Sequence, residues 1–287
     1  MITKTDLPPT IALYAKDENS NVLGTTEELA SLLDLPVIDS PNTEYELLLV
    51  VTKGRLELHQ TNSEVGPVFC DFVSNEFMRR QIVSLRGDLL AKAVGYKGDR
   101  IKIVDATAGF GRDAMLLTLL GCEVTAIERD PVVAALLIDG VHRALGHPVL
   151  QDAVQLLKLM TGDSCQILSE LDIPPDVIYL DPMFSGKNRK ARPKKELWAL
   201  ARLVRDDDDG SSLLTHALET GCQRVVVKRP YKGVALPVMD GRLPDIQFRG
   251  TTIRFDVYLQ PEVVVGSCTK NASLSKNVEG ISSKSSY

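Results

Sequence analysis

The stretch Ile101-Lys-Ile-Val-Asp-Ala-Thr-Ala-Gly-Phe-Gly-Arg-Asp113 decides the fold of this 287-residue chain. Its first five residues form a largely apolar run that ends in an acid, which is typical of a buried strand. Glycines at positions 109 and 111 follow within a turn, and a helical pattern begins immediately after them. A strand, a glycine-bearing turn and a helix in this order are the opening unit of a parallel α/β sheet.

The same alternation continues outward from this stretch to about residue 260. Strands are predicted from apolar runs at residues 101–105, 123–128, 177–181 and 224–228, with a weaker strand near Val149. Helices are predicted at residues 111–120, 131–145, 194–204 and 212–220. Alternation of this kind indicates a parallel sheet with helices on both faces.

The last two strands depart from this alternation. Residues 245–249 and 252–259 are separated only by Gly250-Thr251, which leaves no room for a helix, so they must pair as an antiparallel hairpin. The fold expected for residues 76–261 is therefore a Rossmann-like α/β sheet with an antiparallel terminal hairpin.

The two ends of the chain differ from this central part. Residues 1–75 contain short β-rich runs and one short helix near residues 25–33, with Thr25 or Thr26 as its cap, and they predict a small N-terminal α+β domain. Residues 262–287 are rich in serine, lysine and asparagine, which predicts a disordered tail.

Composition narrows the class of protein. The net charge of -5 argues against a protein that is basic over its whole surface. No apolar run approaches the roughly 20 residues of a membrane span, and the amino terminus lacks an apolar signal segment, so a cytoplasmic location is expected. The five cysteines are scattered without a C-x-x-C pair, which argues against a metal site or a disulfide framework. Cys122 and Cys222 begin apolar runs and are expected in the core.

Glu128 supplies the second half of a cofactor signature. It ends the strand after the glycine turn, about twenty residues on, where an acid typically accepts hydrogen bonds from ribose hydroxyls. Gly109 and Gly111 let the backbone approach a ligand, and together these features indicate an adenosine-bearing cofactor. NAD would need a surface for its pyrophosphate, whereas Asp105 and Asp113 favour the positive sulfonium of S-adenosylmethionine.

The segment Tyr179-Leu-Asp-Pro-Met-Phe184 carries the chemistry. An apolar run leads directly into an acceptor carboxylate, a turn stiffened by proline and an aromatic ring. These three features together can hold a nucleobase. Asp181 and a backbone carbonyl of the turn can accept hydrogen bonds from the exocyclic amine of the base, while Phe184 stacks on its ring. Asp181, Pro182 and Phe184 are therefore the candidate catalytic residues. Met183 departs from the Asp/Asn-Pro-Pro-Tyr/Phe pattern of many amino-methyltransferases.

A basic run follows at once. Six of the nine residues of Lys187-Asn-Arg-Lys-Ala-Arg-Pro-Lys-Lys195 are basic and are candidate phosphate contacts: Lys187, Arg189, Lys190, Arg192, Lys194 and Lys195. Lys228 and Arg229 end the next strand at the same edge of the sheet and are a second candidate contact for a nucleic acid. An ordinary solvated surface is the alternative interpretation of such a run.

Several motifs together resemble the ribosomal RNA small subunit methyltransferase J family over about residues 65–260. They are Asp105-Ala-Thr-Ala-Gly-Phe-Gly-Arg-Asp-Ala114, Glu128-Arg-Asp-Pro-Val-Val-Ala-Ala-Leu-Leu137, Tyr179-Leu-Asp-Pro-Met-Phe184, Lys194-Lys-Glu196, Val225-Val-Val-Lys-Arg-Pro230 and Arg254-Phe-Asp-Val-Tyr258. The resemblance implies S-adenosylmethionine-dependent methylation of the 2-amino group of one guanine in 16S rRNA, guanosine 1516 in the family's conventional rRNA numbering. It implies 16S rRNA or the small ribosomal subunit as the partner. From the residues themselves, neither a membrane nor a metal is expected.

The positions of these motifs also suggest cofactor contacts beyond the glycine turn and Asp105. The suggested residues are Arg112, Asp113, Glu128, Arg129, Asp163, Ser164 and Asp181. Asp163 and Ser164 follow the third expected strand and could grip the adenine amino group, while an ordinary turn is an equally good interpretation of that pair.

Two other functions are compatible with the same residues. One is amino-methylation of another substrate, such as a DNA adenine or a protein side chain. The other is a non-catalytic RNA-binding or assembly protein with a methyltransferase fold, against which the intact Asp181-Pro182 and Glu128 argue.

Overall fold

The structure is a computed structural model, and it describes residues 10–16, 24–42, 44–64, 66–74, 77–78, 87–182, 203, 210–238 and 240–260. This part of the chain forms one sheet of four strands and one of seven. The predicted helix at residues 194–204, apart from residue 203, lies outside the described residues, as do the basic run and the tail.

The smaller sheet is built from the amino-terminal region. Its strands are β1 (Ile11–Ala15), β2 (Val37–Ile38), β3 (Leu47–Val51) and β4 (Leu56–Gln60), in the spatial order β2-β1-β3-β4. Helix α1 (Thr26–Leu33) begins with the predicted cap, because the Thr25 hydroxyl accepts from the Glu28 amide at 3.2 Å and Glu28 bonds back to Thr25. Within the described part of the chain, the apolar run at residues 68–73 contributes one bridge, from Val68 to Leu58.

The larger sheet has the order β7-β6-β5-β8-β9-β11-β10. Its strands are β5 (Lys102–Asp105), β6 (Glu123–Glu128), β7 (Leu157–Thr161), β8 (Val177–Leu180), β9 (Arg224–Pro230), β10 (Ile246–Arg249) and β11 (Ile253–Leu259). The first five strands in that order are parallel, while β11 runs antiparallel to β9 and to β10. The Rossmann-like sheet and its antiparallel hairpin are therefore confirmed.

Six helices accompany this sheet within the described residues. They are α2 (Leu89–Ala93), α3 (Arg112–Leu119), α4 (Pro131–Leu145), α5 (Gln151–Gln155), α6 (Ser164–Ser169) and α7 (Gly210–Glu219). Helix α4 has the predicted bounds, with the Asp130 carboxylate accepting from the amides of Val132 and Val133, both at 2.9 Å. None of the described helices combines the length and apolarity that a membrane span requires.

The prediction of a strand near Val149 was wrong. Val149 is exposed and precedes α5, and the third strand of the sheet is β7, eight residues further on. Leu150, Ala153 and Val154 have helical spacing and are all buried on one side, so this apolar cluster forms a helix instead of a strand. Strand β7 lies at the sheet edge and is only partly buried, which explains its weak apolar signal.

One hydrophobic cluster joins the two sheets. It includes Leu49 and Leu58 of the small sheet together with residues of α3 and α4 of the large one. The Cys70 thiol donates to the Phe110 carbonyl at 3.2 Å, and a Cβ added at Gly140 of α4 would lie 2.6 Å from Cys70 Sγ. Residues near position 70 therefore pack closely against the glycine turn and α4. A domain boundary at residue 75 stays a prediction.

Candidate active site

The candidate site lies where the order of the large sheet reverses. From β5 the chain builds β6 and β7 on one side and then returns to β8 on the other side of β5. Ligands of open parallel sheets bind at such a switch point, outside the carboxyl ends of the strands. Asp105 ends β5, Glu128 ends β6 and Asp181 follows β8, so the structure brings these predicted acids to one edge.

The glycine turn between β5 and α3 lies directly against Glu128. Gly109 and Gly111 have φ values of 52° and 66°, a region that disfavours other residues. Gly111 begins α3, and a Cβ there would lie 2.5 Å from the Leu137 side chain. The Gly109 amide donates to Glu128 Oε2 at 2.8 Å. The turn and the acid predicted to bind one cofactor thus form a single hydrogen-bonded unit.

The Glu128 carboxylate is 6% exposed and is held by main-chain donors on both oxygens. In addition to Gly109, the Asp130 amide donates to Oε1 at 2.8 Å. Burial raises the pKa of Glu128, and the two backbone hydrogen bonds oppose that rise. Each oxygen keeps a second lone pair, so the carboxylate can accept further hydrogen bonds from a ligand hydroxyl.

Asp105 is the most deeply buried acid of the site, at 1% exposure. Burial raises its pKa to about 8, with Asp113 and Asp181 adding to the rise and the Thr107 amide and Lys228 opposing it. The Thr107 amide donates to Asp105 Oδ1 at 3.1 Å. At neutral pH Asp105 is therefore mostly protonated and can donate as well as accept a hydrogen bond.

A second group of side chains joins Asp113 to Asp181. The Lys228 ammonium donates to Asp113 Oδ2 at 2.7 Å and to Asp181 Oδ2 at 2.8 Å; we call these three residues the lysine bridge. The hydroxyl of Tyr179 donates to the same Asp113 oxygen at 2.6 Å. Three elements, α3, β8 and β9, thus contribute to one charged cluster.

The lysine bridge sets the protonation of its members. Burial by itself lowers the pKa of Lys228, but Asp113 and Asp181 raise it well above its ordinary value, so the ammonium stays charged. Burial raises the pKa of Asp181, Lys228 lowers it and Asp113 raises it further. The pKa of Tyr179 is raised by burial and by the neighbouring carboxylates, so its hydroxyl stays neutral.

Thr107 ties the glycine turn to the start of the Asp181-Pro182 segment. Its hydroxyl accepts from the Asp181 amide at 2.6 Å, and the Ala106 amide donates to the Tyr179 carbonyl at 3.0 Å. Thr107 and Tyr179 were not among the predicted site residues. A buried tyrosine hydroxyl needs a partner, which was the available signal for Tyr179.

The predicted pair Asp163 and Ser164 lies at the carboxyl end of β7, at the same edge. The Asp163 carboxylate caps α6 by accepting from the Gln166 amide at 3.0 Å. Ser164 is buried, and its hydroxyl donates to the Ala106 carbonyl at 2.6 Å. Both side chains therefore have local structural partners, and their contact with adenine stays a prediction.

The remaining predicted residues occupy distinct positions. Arg112 is the first residue of α3, Arg129 follows β6, and both are half-buried. Pro182 is buried, and a Cβ added at Gly210 of α7 would lie 3.3 Å from its Cβ. Phe184 and the six basic residues from Lys187 to Lys195 lie outside the described residues.

Lys228 and Arg229 were predicted to contact RNA, and the structure gives both side chains partners within the protein. Arg229 is 8% exposed and its Nε donates to the Val234 carbonyl at 2.9 Å. Lys228 occupies the lysine bridge. Consecutive residues of a strand point to opposite faces, so the two side chains diverge. RNA contact by either residue stays a prediction.

Comparison with known proteins places the chain in a family. A family model described as "Putative SAM-dependent methyltransferase" matches residues 28–260. The ribosomal RNA small subunit methyltransferase J of Thioalkalivibrio sulfidiphilus is 44% identical over 239 residues, which cover 81% of this chain and 92% of that protein. The protein of the same name from Coxiella burnetii is 41% identical over 240 residues, which cover 83% and 92%.

The chain belongs to the ribosomal RNA small subunit methyltransferase J family. A solved structure agrees with this assignment: a SAM-dependent methyltransferase from Neisseria gonorrhoeae is 33% identical and superimposes with a TM-score of 0.68, covering 86% of this chain and 95% of that one. Family membership confirms S-adenosylmethionine as the cofactor, as the acids around the glycine turn predict.

The residues of the site fit that cofactor. In the lysine bridge two acids share one ammonium, so acidic groups outnumber cations there. A ligand with a sulfonium, an ammonium and one carboxylate has one net positive charge and is attracted to these acids. A pyrophosphate would instead add negative charge beside these acids.

Proposed function

We propose that this chain transfers a methyl group from S-adenosylmethionine to the 2-amino group of a guanine in small-subunit ribosomal RNA. The observation that carries the proposal is the position of Asp181. Its amide is held by Thr107 and its Oδ2 by Lys228, at the edge of the sheet where the glycine turn also lies. A fixed carboxylate beside the cofactor turn is what an amine acceptor requires. The names of the relatives support RNA as the substrate.

The cofactor half of the site consists of the glycine turn, Asp105 and Glu128. We propose that Glu128 accepts hydrogen bonds from the ribose hydroxyls through its remaining lone pairs, while the turn allows close backbone approach. Asp113 faces the positive end of the cofactor. Further contacts are proposed for Arg112, Arg129, Asp163 and Ser164. The bound cofactor supplies an activated methyl group on a positively charged sulfur.

Asp181 provides the acceptor half of the chemistry. The lone pair of a guanine 2-amino group is delocalised into the ring, so the free amine is a poor nucleophile. One N–H bond to Asp181 Oδ1 and one to a backbone carbonyl of the turn favour a pyramidal nitrogen with its lone pair aimed at the methyl group. In the described part of the chain, Oδ1 of Asp181 has no hydrogen-bond partner, so it is available for this contact.

The Asp181 carboxylate also interacts with the charge that develops on the amine nitrogen. As the bond from the methyl group to sulfur breaks and its bond to nitrogen forms, the nitrogen gains the positive charge that the sulfur loses, and an adjacent carboxylate stabilises that charge. The amine then loses one proton, for which Asp181 is the nearest acceptor. The Asp181 side chain is 39% exposed, so the proton can leave to water.

RNA recognition is assigned to residues beyond Pro182. We propose that Phe184 stacks on the target base and that the basic residues between Lys187 and Lys195 bind the surrounding phosphates. Their position in sequence supports this, because they follow Asp181 directly. A base within folded RNA would have to leave its stack to reach Asp181.

The test is to map the product. The protein is incubated with S-adenosylmethionine carrying a labelled methyl group and with small subunits that lack the modification. The rRNA is then digested and analysed by mass spectrometry. Label at one guanine, as N2-methylguanosine, is the expected result. Label on an adenine, or at a ring carbon or ribose position, would refute guanine-N2 methylation, while absence of label on all RNA would favour a non-catalytic role.

A further inference from the structure

The lysine bridge contains a residue that the proposed chemistry does not yet use. Lys228 was expected to face RNA, yet its ammonium contacts one oxygen of Asp113 and one of Asp181, at 2.7 and 2.8 Å. Its side chain is only 22% exposed. A lysine in this position cannot reach out to a phosphate without giving up two charge-assisted hydrogen bonds.

We propose that Lys228 is a positioning residue that orients the Asp181 carboxylate and favours its ionised form for the acceptor amine. This inference rests on the proposed role of Asp181. With Oδ2 occupied by the ammonium, rotation of the carboxylate is restricted and Oδ1 is the oxygen presented to the substrate. Lys228 thus acts through Asp181 and does not touch the reacting atoms.

Geometry around Asp181 explains why such a residue is needed. The charged and titratable groups that face it in the described structure come from four elements: Lys228 of β9, Asp113 of α3, Asp105 of β5 and Tyr179 of β8. Lys228 is the one cation among these four. Without it, Asp113 and burial would favour a protonated Asp181, which carries no negative charge to stabilise the developing ammonium.

The opposite face of β9 shows that this arrangement is specific to Lys228. Its neighbour Arg229 points the other way, into a loop, where it donates to the Val234 carbonyl. The β10–β11 hairpin is held by Arg254, which is buried and forms a bidentate ion pair with Asp256 at 2.7 and 2.9 Å. Arg254 Nη1 also donates to the Pro230 and Tyr231 carbonyls, so the end of β9 that carries Lys228 is firmly held.

The experiment measures kcat against pH, at saturating cofactor and RNA, for three variants of the full chain. Lys228→Met removes the cation and keeps a side chain of similar length. We expect its plateau kcat to fall by at most about tenfold, and the acidic limb of its kcat–pH profile to move to higher pH by about one unit or more. Asp113→Asn removes a like charge, so the limb should move to lower pH. Lys228→Arg keeps the charge and should leave the limb in place.

RNA binding separates this role from a phosphate contact. The dissociation constant and its salt dependence are measured for Lys228→Met and for the control Lys232→Met, which removes an exposed cation four residues on. We expect the salt slope of Lys228→Met to equal that of the wild type. A slope reduced by about one, together with an unmoved acidic limb, would overturn the inference in favour of a phosphate contact.

The two proposals fail in different ways. If the product map shows another nucleotide or position, guanine-N2 specificity fails, while the pH shifts remain measurable on the true substrate. If the product is N2-methylguanosine and the Lys228→Met and Asp113→Asn limbs do not move in opposite directions, only the role of Lys228 fails. Should Lys228→Met not fold, the Asp113→Asn and Lys228→Arg limbs decide the question.

Discussion

The cofactor half and the acceptor half of the site hold their acids in different ways. In the cofactor half, the acids accept hydrogen bonds from backbone amides. Glu128 accepts from Gly109 and Asp130, and Asp105 accepts from Thr107. In the acceptor half, the Lys228 side chain of β9 holds both Asp113 and Asp181, and the Tyr179 side chain of β8 also holds Asp113. Backbone donors hold a carboxylate rigidly, whereas a charged side-chain donor also influences the protonation and orientation of the carboxylate that it contacts.

Removing Asp181 is expected to give the largest effect, because the acceptor half depends on one carboxylate. Asp181→Ala should lower kcat by about 10²–10³-fold, the usual loss for a group that stabilises transition-state charge. The fold and the cofactor affinity should be largely kept, since Lys228 still pairs with Asp113. Asp176→Ala, at the other end of the same strand, is the control and should retain turnover. Full activity in Asp181→Ala would remove the basis of the acceptor half.

Removing Glu128 should affect binding more than turnover. Glu128→Ala eliminates the proposed ribose contacts and leaves the Gly109 and Asp130 amides without their acceptor. Hydrogen bonds to a charged group contribute about 1.5–3 kcal/mol, so the cofactor dissociation constant should rise about 10–100-fold by calorimetry. The control is Glu123→Ala, at the half-buried start of the same strand. An unchanged dissociation constant in Glu128→Ala would contradict the cofactor assignment.

Substituting Gly111 tests the rigidity of the glycine turn. Gly111→Ala combines a φ of 66° with a Cβ only 2.5 Å from the Leu137 side chain, so it should destabilise the fold by about 2 kcal/mol in denaturant unfolding. Gly221→Ala is the matched control, because it has a φ of 76° and no atom within 4 Å of the added Cβ. Equal losses in the two variants would show that backbone strain, and not the clash with α4, is responsible.

Counted per pH unit, the smallest effect is expected for the pH dependence of stability. The pKa of Asp105 is about 8 in the folded protein and about 4 when unfolded, so between these values the folded state binds the extra proton. The free energy of unfolding therefore falls as pH rises through this window, by at most about 1.4 kcal/mol per pH unit.

Asp105→Asn mimics the protonated acid and should flatten that slope. Urea unfolding of the wild type and the variant at pH 5, 6.5 and 8 would measure it. Parallel slopes for the two proteins would show that Asp105 is not the group responsible.

The difference between the halves also explains what could be predicted. The bounds of α4 and β6, the hairpin and the parallel sheet followed from periodicity and turn residues, because each depends on neighbours in sequence. Strand β7 was misplaced, because an edge strand is half-exposed and its apolar signal is weak. Thr107 and Tyr179 were missed, because their partners lie 66 or more residues away in the chain.

By itself, the sequence determined the fold class, the glycine turn, the acids at the ends of β5, β6 and β8, and the family resemblance that the comparisons confirm. These features depend on local patterns: apolar periodicity, positive-φ glycines and acids that end apolar runs. Only the tertiary structure decided that Lys228 joins Asp113 to Asp181, and that Asp105 is buried deeply enough to hold a proton. Charge pairing and desolvation depend on which strands become neighbours, and strand order brings together residues that the sequence keeps far apart.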